Sequence, residues 1–285
     1  MGYLHIDNLY KNLDIMKFKE CYALEKIHGT SAHIAWNCET KEIRYFAGGG
    51  KHDTFIKLFD HAYLNSIFNQ GFMDVDVIIY GESYGGKQQG MSYTYGKEPK
   101  FIVFDIKINK IWLDVPNAED VAKKFNLEFV GYTKINTNLD SINKERDKSS
   151  TQAKRNGIKE DKLREGIVLR PLIEVIKSNG NRVIVKHKRD EFIETKTPRK
   201  VDPAKLKLIE DAKAIAEEWV TPMRLTHILD KLGNPTEIES IGKVIKYMIE
   251  DVLREGKDEL KDSRETKSMI GKKTAELYKL RISKI

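Results

Sequence analysis

The sequence predicts an α+β protein in two parts, a larger N-terminal domain of mixed strands and helices and a small all-helical C-terminal domain. Three observations carry this reading. Short runs rich in β-branched and aromatic residues recur through the first two thirds of the chain. A proline- and charge-rich run, TKTPRKVDP at 195–203, then interrupts both the strand and the helix periods. Beyond it, apolar residues recur only at helical spacing. The expected division is 1–197 and 198–285.

The strands are expected at 22–25, 32–36, 42–46, 75–80, 101–107, 166–169 and 182–186. Between them, 54–69 and 117–125 carry apolar residues at helical spacing, and Gly71 is placed to stop the first helix. After Pro203, the residues Leu206, Ile209, Ala212, Ile215 and Trp219 share one helix face. Thr221 before Pro222 is an N-cap followed by proline at N1, and that helix should end at Gly233. From Pro235 onward, Ile238, Ile241, Val244, Ile245, Met248, Ile249 and Val252 describe an amphipathic helix with one buried face. A charged turn over 254–267 should lead into a last helix at 267–281.

With 285 residues, 40% of them hydrophobic, the chain can bury a substantial core. No apolar run approaches the roughly 20 residues needed to cross a bilayer, and the start MGYLHIDNLYKN lacks the apolar stretch of a secretory signal. The cytoplasm is therefore the expected location, or a host's cytoplasm if the chain is phage-encoded, with no membrane partner. Cys21 and Cys38 lack metal or redox spacing and are expected to be free, buried thiols. A net charge of +7 suits a polyanionic partner but is equally compatible with a solvated mixed-charge surface.

The chemistry concentrates in five segments. Lys26, in EKIHGT, ends an apolar run just before Gly29; burial there disfavours the charged amine and would let it attack an electrophilic phosphorus. Glu82 closes YGE ahead of a flexible run. FIVFD offers a central strand with Phe104. Glu165 and Arg170 lie in REGIVLRP. Lys186 and Lys188, in VIVKHK, share one strand face because side chains alternate. Two such lysines on an apolar strand are costly without an anion. Each segment alone also reads as strand core or edge, and buried ion pairs would hold Glu82 or Glu165 equally well.

In their order, these segments resemble the covalent nucleotidyltransferase superfamily of ligases and capping enzymes: KIHG as motif I, YGE as motif III, FIVFDI as motif IIIa, EGIVLR as motif IV and VKHK as motif V. The helical remainder resembles the type two, nick-sealing RNA ligases first known from a bacteriophage. The resemblance implies an adenylation domain with antiparallel sheets, ATP as cosubstrate and Mg²⁺, or Mn²⁺, as metal. It implies Lys26 as the nucleophile, with Glu25 and Ile27 beside it in the nucleotide site, and His28 on a phosphate. Glu82 would receive the ribose hydroxyls or hold metal-bound water, and Phe104 would stack on adenine. Glu165 would organise the metal through water, Arg170 would reach substrate phosphate, and Lys186 with Lys188 would contact the α-phosphate.

The implied partner is RNA with 3′-hydroxyl and 5′-phosphate ends in a nicked duplex, engaged by a monomer. DNA ligases and GTP-using capping enzymes share these motifs, but they usually append a small β-barrel, whereas the tail here reads as helices. Two positions depart from the RNA ligase pattern. The segment RYFAGGGKHDTF has glycines where a basic residue is common, leaving Arg44 or Lys51 to substitute, and Ser31 stands where asparagine is frequent.

Overall fold

The computed structural model describes residues 2–192, 200–257 and 259–283. The chain divides into two compact units, 1–199 and 200–285. Of the proline- and charge-rich run expected as a linker, residues 195–199 lie outside the described residues.

The first unit is built on two five-stranded sheets. One contains β1 (Asp7–Asn8), β2 (Glu20–Lys26), β8 (Tyr132–Asn136), β9 (Gly166–Pro171) and β10 (Val185–Lys188), in the order β1-β10-β9-β2-β8. The other contains β3 (Thr30–Asn37), β4 (Glu42–Phe46), β5 (Val77–Gly85), β6 (Pro99–Ile108) and β7 (Ile111–Trp112), in the order β4-β3-β5-β6-β7. The named strands pair antiparallel except β1, which runs parallel to β10. One hydrophobic core joins the two sheets, with Leu24 and Ile27 from the β2 side meeting Ile34, Ile79 and Ile102 from the other.

The structure corrects several expected boundaries. The helix expected at 54–69 is two, α1 (His52–Ile56) and α2 (His61–Gly71), because Asp60 takes an extended conformation and its carboxylate accepts from the Tyr63 N–H at 3.0 Å, starting a new helix. Leu64 and Phe68 of α2 are buried, and Phe68 stacks on Trp36 with ring centroids 5.1 Å apart. The strand expected at 182–186 starts only at Val185, since the Val183 N–H is taken by Val175 O at 2.9 Å. The strand expected at 75–80 instead runs through Gly85 after a register shift at Tyr80/Gly81. Cys21 is buried as expected, whereas Cys38 is only half-buried.

Four helices complete the unit: α3 (Ser92–Tyr95), α4 (Val115–Lys124), α5 (Leu139–Arg146) and α6 (Thr151–Arg155). The sequence marked only α4. The others are short; α5 and α6 are started by side-chain caps, Asn138 and Ser150, and not by long apolar periods, while α3 has no side-chain cap.

Among its described residues the second unit has helices and no strand: α7 (Pro203–Trp219), α8 (Pro222–Lys231), α9 (Ile241–Glu255) and α10 (Arg264–Ile282). Thr221 caps α8, accepting from the Arg224 N–H at 3.2 Å, and Gly233 follows that helix at φ +78°, a conformation glycine adopts without strain. The α10 helix begins at Arg264 and not at 267 because Ser263 caps it through the Thr266 N–H at 3.1 Å. Val244, Met248, Val252, Ile270 and Tyr278 fill the core.

Candidate active site

Strand register explains how residues far apart in sequence converge. Lys26 and Lys188 each pair with Gly166, one from either side of β9, and Leu24 and Lys186 likewise flank Val168. Gly166 must lack a side chain, since a Cβ there would lie 2.3 Å from His187 O. Glu165, just ahead of β9, is thereby brought between the two lysines. Lys26 Nζ donates to its Oε2 at 2.9 Å, Lys188 Nζ lies 2.9 Å from its Oε1, and His28 Nδ1 lies 3.2 Å from Oε2. Thus the anion that the strand-face lysines require is present for Lys188. Lys26, with 23% of its side chain exposed, is an ion-paired amine and not one desolvated alone.

Burial by itself would raise the Glu165 pKa, but the His28 contact and the charges of Lys26 and Lys188 outweigh it and hold the carboxyl at about 2. Glu82 moves the other way. Burial and the nearby Glu165 charge push it to about 7, against the lowering by Lys26 and by the Gly29 N–H that donates to its Oε1 at 3.1 Å. Two carboxylates beside one lysine are therefore shifted in opposite directions, Glu165 down and Glu82 up. Gly29 is fixed by crowding, as its Cβ would meet Ser83 O at 2.3 Å.

In front of Lys26 opens a cavity of about 420 Å³, within the usual range for small-ligand sites. Of the residues the sequence marked, Glu25, Lys26, Ile27, Glu82, Phe104, Arg170 and Lys186 line it, together with Ser31 and the segment Tyr3 to Ile6. His28, Glu165 and Lys188 stand behind Lys26 instead of on the wall. The Glu25 carboxylate is occupied elsewhere: it accepts from Ser150 Oγ at 2.5 Å and from the N–H groups of Thr151 and Gln152 at 2.8 and 3.2 Å.

The opposite end of the cavity holds a network the sequence did not reveal. Asp105 is fully buried and accepts from Tyr3 Oη at 2.6 Å, from Arg170 at 3.0 Å and from Arg182 at 2.6 Å. Glu174 binds both arginines, at 2.8 Å from Arg170 and 2.6 Å from Arg182. The guanidinium of Arg170 is thus committed to carboxylates, although its Nε has no hydrogen-bond partner. The Tyr3 ring meets Phe104 edge-on at 4.9 Å, and burial with the Asp105 charge raises its hydroxyl pKa well above the usual value.

A family model described as RNA ligase matches residues 19–188, well over half of the 285. The chain belongs to the RNA ligase family. Its fold resembles that of the Naegleria gruberi RNA ligase with pyrophosphate, at a TM-score of 0.50 and 16% identity over 68% of this chain and 57% of that one. A variant of the same Naegleria enzyme with ATP and manganese matches at a TM-score of 0.50 and 16% identity, covering 67% of this chain and 57% of that chain. At such identities the likeness is one of fold, and the chain spans a little over half the length of the structures it matches.

Among the described residues, no three His, Cys, Asp or Glu side chains are grouped to hold a metal ion. Glu82 and Glu165 are the carboxylates beside Lys26 and would hold a divalent cation, which would supply charge neutralisation. No helix of the described residues is long and apolar enough to cross a membrane.

Proposed function

We propose that this ligase joins RNA 3′-hydroxyl and 5′-phosphate ends with ATP, through a lysyl-AMP on Lys26 and an adenylated 5′-end. One observation carries the reading: Lys26 stands at the wall of a nucleotide-sized cavity with Lys186 on the same wall and Lys188 and His28 gathered behind it on Glu165. In the first step the Lys26 nitrogen bonds to the α-phosphorus and pyrophosphate leaves. Glu165 keeps the amine oriented and the lysines of β10 neutralise charge on the transferring phosphate. AMP then passes to a 5′-phosphate, and a 3′-hydroxyl displaces it to form the phosphodiester. Phe104 packs the adenine, and Glu82 receives the ribose hydroxyls or a metal-bound water.

Of the two candidates for the missing basic residue, register favours Lys51. Arg44 pairs with Ala35, four residues along β3 from Ser31, which is the residue opposite Glu82. Lys51 instead follows Gly50, whose Cβ would lie 2.8 Å from the Gln88 amide, and Gln88 accepts from Thr30 Oγ1 at 3.2 Å. We assign the first unit to adenylation and the second to engaging a nicked RNA duplex, with the ligase a cytoplasmic monomer.

The test uses ATP labelled at the α-phosphate with Mg²⁺ or Mn²⁺. The parent should take a covalent label that Lys26→Ala lacks, and persistent labelling of that variant would remove the nucleophile assignment. Preference for GTP would favour a capping-type reaction, and equal sealing of all-DNA nicks would favour a DNA ligase. A chain ending at Lys200 should still label but fail to seal a 5′-phosphate nick.

A further inference from the structure

Alternation along a strand gives every site residue a neighbour that points to the other face of the sheet. In this ligase those neighbours share a destination. Glu25, next to Lys26, binds Ser150, Thr151 and Gln152. Arg164, next to Glu165 and itself buried, donates to Ser149 O at 3.1 Å, to Thr151 Oγ1 at 3.3 Å and to the Glu145 carboxylate at 3.2 Å. Arg189, next to Lys188, donates to Asp147 O at 2.9 Å, while His187 on the other side lies 2.8 Å from Asn143 Oδ1.

His28 is tied to the same stretch at one remove. Its N–H donates to Tyr95 Oη at 3.2 Å, and Asn156 Nδ2 holds Tyr95 O at 2.9 Å. Tyr84 packs edge-on against Tyr95 at 5.3 Å and accepts from Gln152 Nε2 at 2.8 Å. Four strand-borne or loop-borne site residues therefore have their spacing fixed by one segment, 143–156, which spans the end of α5, the turn after it and α6.

We infer that this segment is a common cradle for the catalytic cluster, with Glu25, Arg164 and Arg189 as positioning residues that set the distances of Lys26 and Lys188 from Glu165. The carboxylate of Glu25 accordingly works on the protein and not on the nucleotide, although its backbone borders the cavity. The catalytic consequence rests on the adenylation chemistry proposed above; the structural one does not. Loosening the cradle should free Lys26 from Glu165 without altering the far wall of the cavity, so the rate of the chemical step should suffer and nucleotide affinity should not.

The experiment uses the full-length chain with Ser150→Ala, which removes a partner of Glu25, and Arg164→Lys, which keeps a charge for Glu145 but loses the fork that spans Ser149 and Thr151. Arg189→Gln, nearer the surface, serves if either fails to fold. Thr274→Ala, removing a buried hydroxyl bonded to Ile270 O in the helical unit, controls for general destabilisation. Two quantities are measured, reductive methylation of Lys26 by mass spectrometry against the exposed Lys246, and the kinetics of lysyl-AMP formation.

Methylation of Lys26 should quicken about threefold or more in the cradle variants, because an amine no longer held on the Glu165 carboxylate meets the reagent more often. The kcat of adenylation should fall about tenfold with the KM for ATP within about twofold, since misplacement of a reacting group costs rate. Thr274→Ala should change neither. Unchanged Lys26 methylation in the cradle variants overturns the inference, as does an equal loss of kcat in the control. If the parent itself takes no label, the ligase reading fails while the methylation result still decides the cradle.

Discussion

The two ends of the cavity each hold a buried acid ringed by cations, yet they are built for opposite purposes. At the Tyr3 end, Asp105 and Glu174 face Arg170 and Arg182, two charges against two, and all but Glu174 are nearly sealed from solvent. At the Lys26 end, the carboxylate of Glu165 is shared by Lys26, Lys188 and His28, with Lys186 on the adjoining wall. The first set is balanced in charge, with one buried donor, Arg170 Nε, left without a partner. In the second, Lys26, Lys188 and His28 converge on one carboxylate beside the cavity, the arrangement from which we proposed a phosphate site. A ring of ion pairs thus signals a structural brace or an anion site according to whether its charges close among themselves.

The largest expected effect lies at the closed end. Asp105→Asn leaves two buried guanidiniums short of a countercharge, and breaking a buried pair in this way costs about 3–5 kcal/mol. Thermal denaturation followed by circular dichroism should show the first unit melting on the order of 10 °C lower. Lysyl-AMP formation by the protein still folded at low temperature should change little. A variant with parental melting and lost adenylation would reverse the two roles.

Lys188→Ala tests the open end. Glu165 retains Lys26 and His28 in this variant, so the melting temperature should fall by far less than in Asp105→Asn. Adenylation should drop by about two orders of magnitude, or roughly 2.7 kcal/mol, through loss of one phosphate-directed charge. Lys186→Ala should behave alike. Near-parental adenylation in both variants, read from label incorporated per unit time, would show that β10 does not face the phosphates.

The same contrast explains what the sequence disclosed. The open end is written in compact segments: period-two alternation already placed Lys186 and Lys188 on one face, Lys26 and Glu165 sit at strand ends, and Glu82 lies within β5 next to Gly81, where a Cβ would meet Ile102 O at 2.3 Å. The closed end is assembled from Tyr3, Asp105, Arg170, Glu174 and Arg182, whose partners lie up to 179 residues apart. Only side-chain packing joins them, and no local period records that. Arg170 illustrates the ambiguity, since the motif suggested a phosphate contact and the structure shows its guanidinium held by Asp105 and Glu174. The helices α5 and α6 escaped for a related reason, being defined by caps and by bonds to Glu25 and Arg164 instead of by an apolar face.

The smallest and most discriminating effect concerns Glu82, whose proton uptake links the open end to pH. Its pKa in the fold is raised to about 7, above that of an exposed glutamate, so the folded state holds this proton more tightly than the unfolded chain. Its contribution to stability is therefore present at acidic pH and is lost as pH rises from the ordinary carboxylate range through about 7. Ribose hydroxyls and metal-bound water both need an ionised acceptor, so kcat/KM for adenylation should rise about tenfold between pH 6 and 8 through this group alone. Glu82→Gln tests this, because it mimics the protonated carboxyl at every pH: the limb near 7 should vanish. An unchanged limb in Glu82→Gln would assign the titration to another group at the open end and would detach Glu82 from the nucleotide.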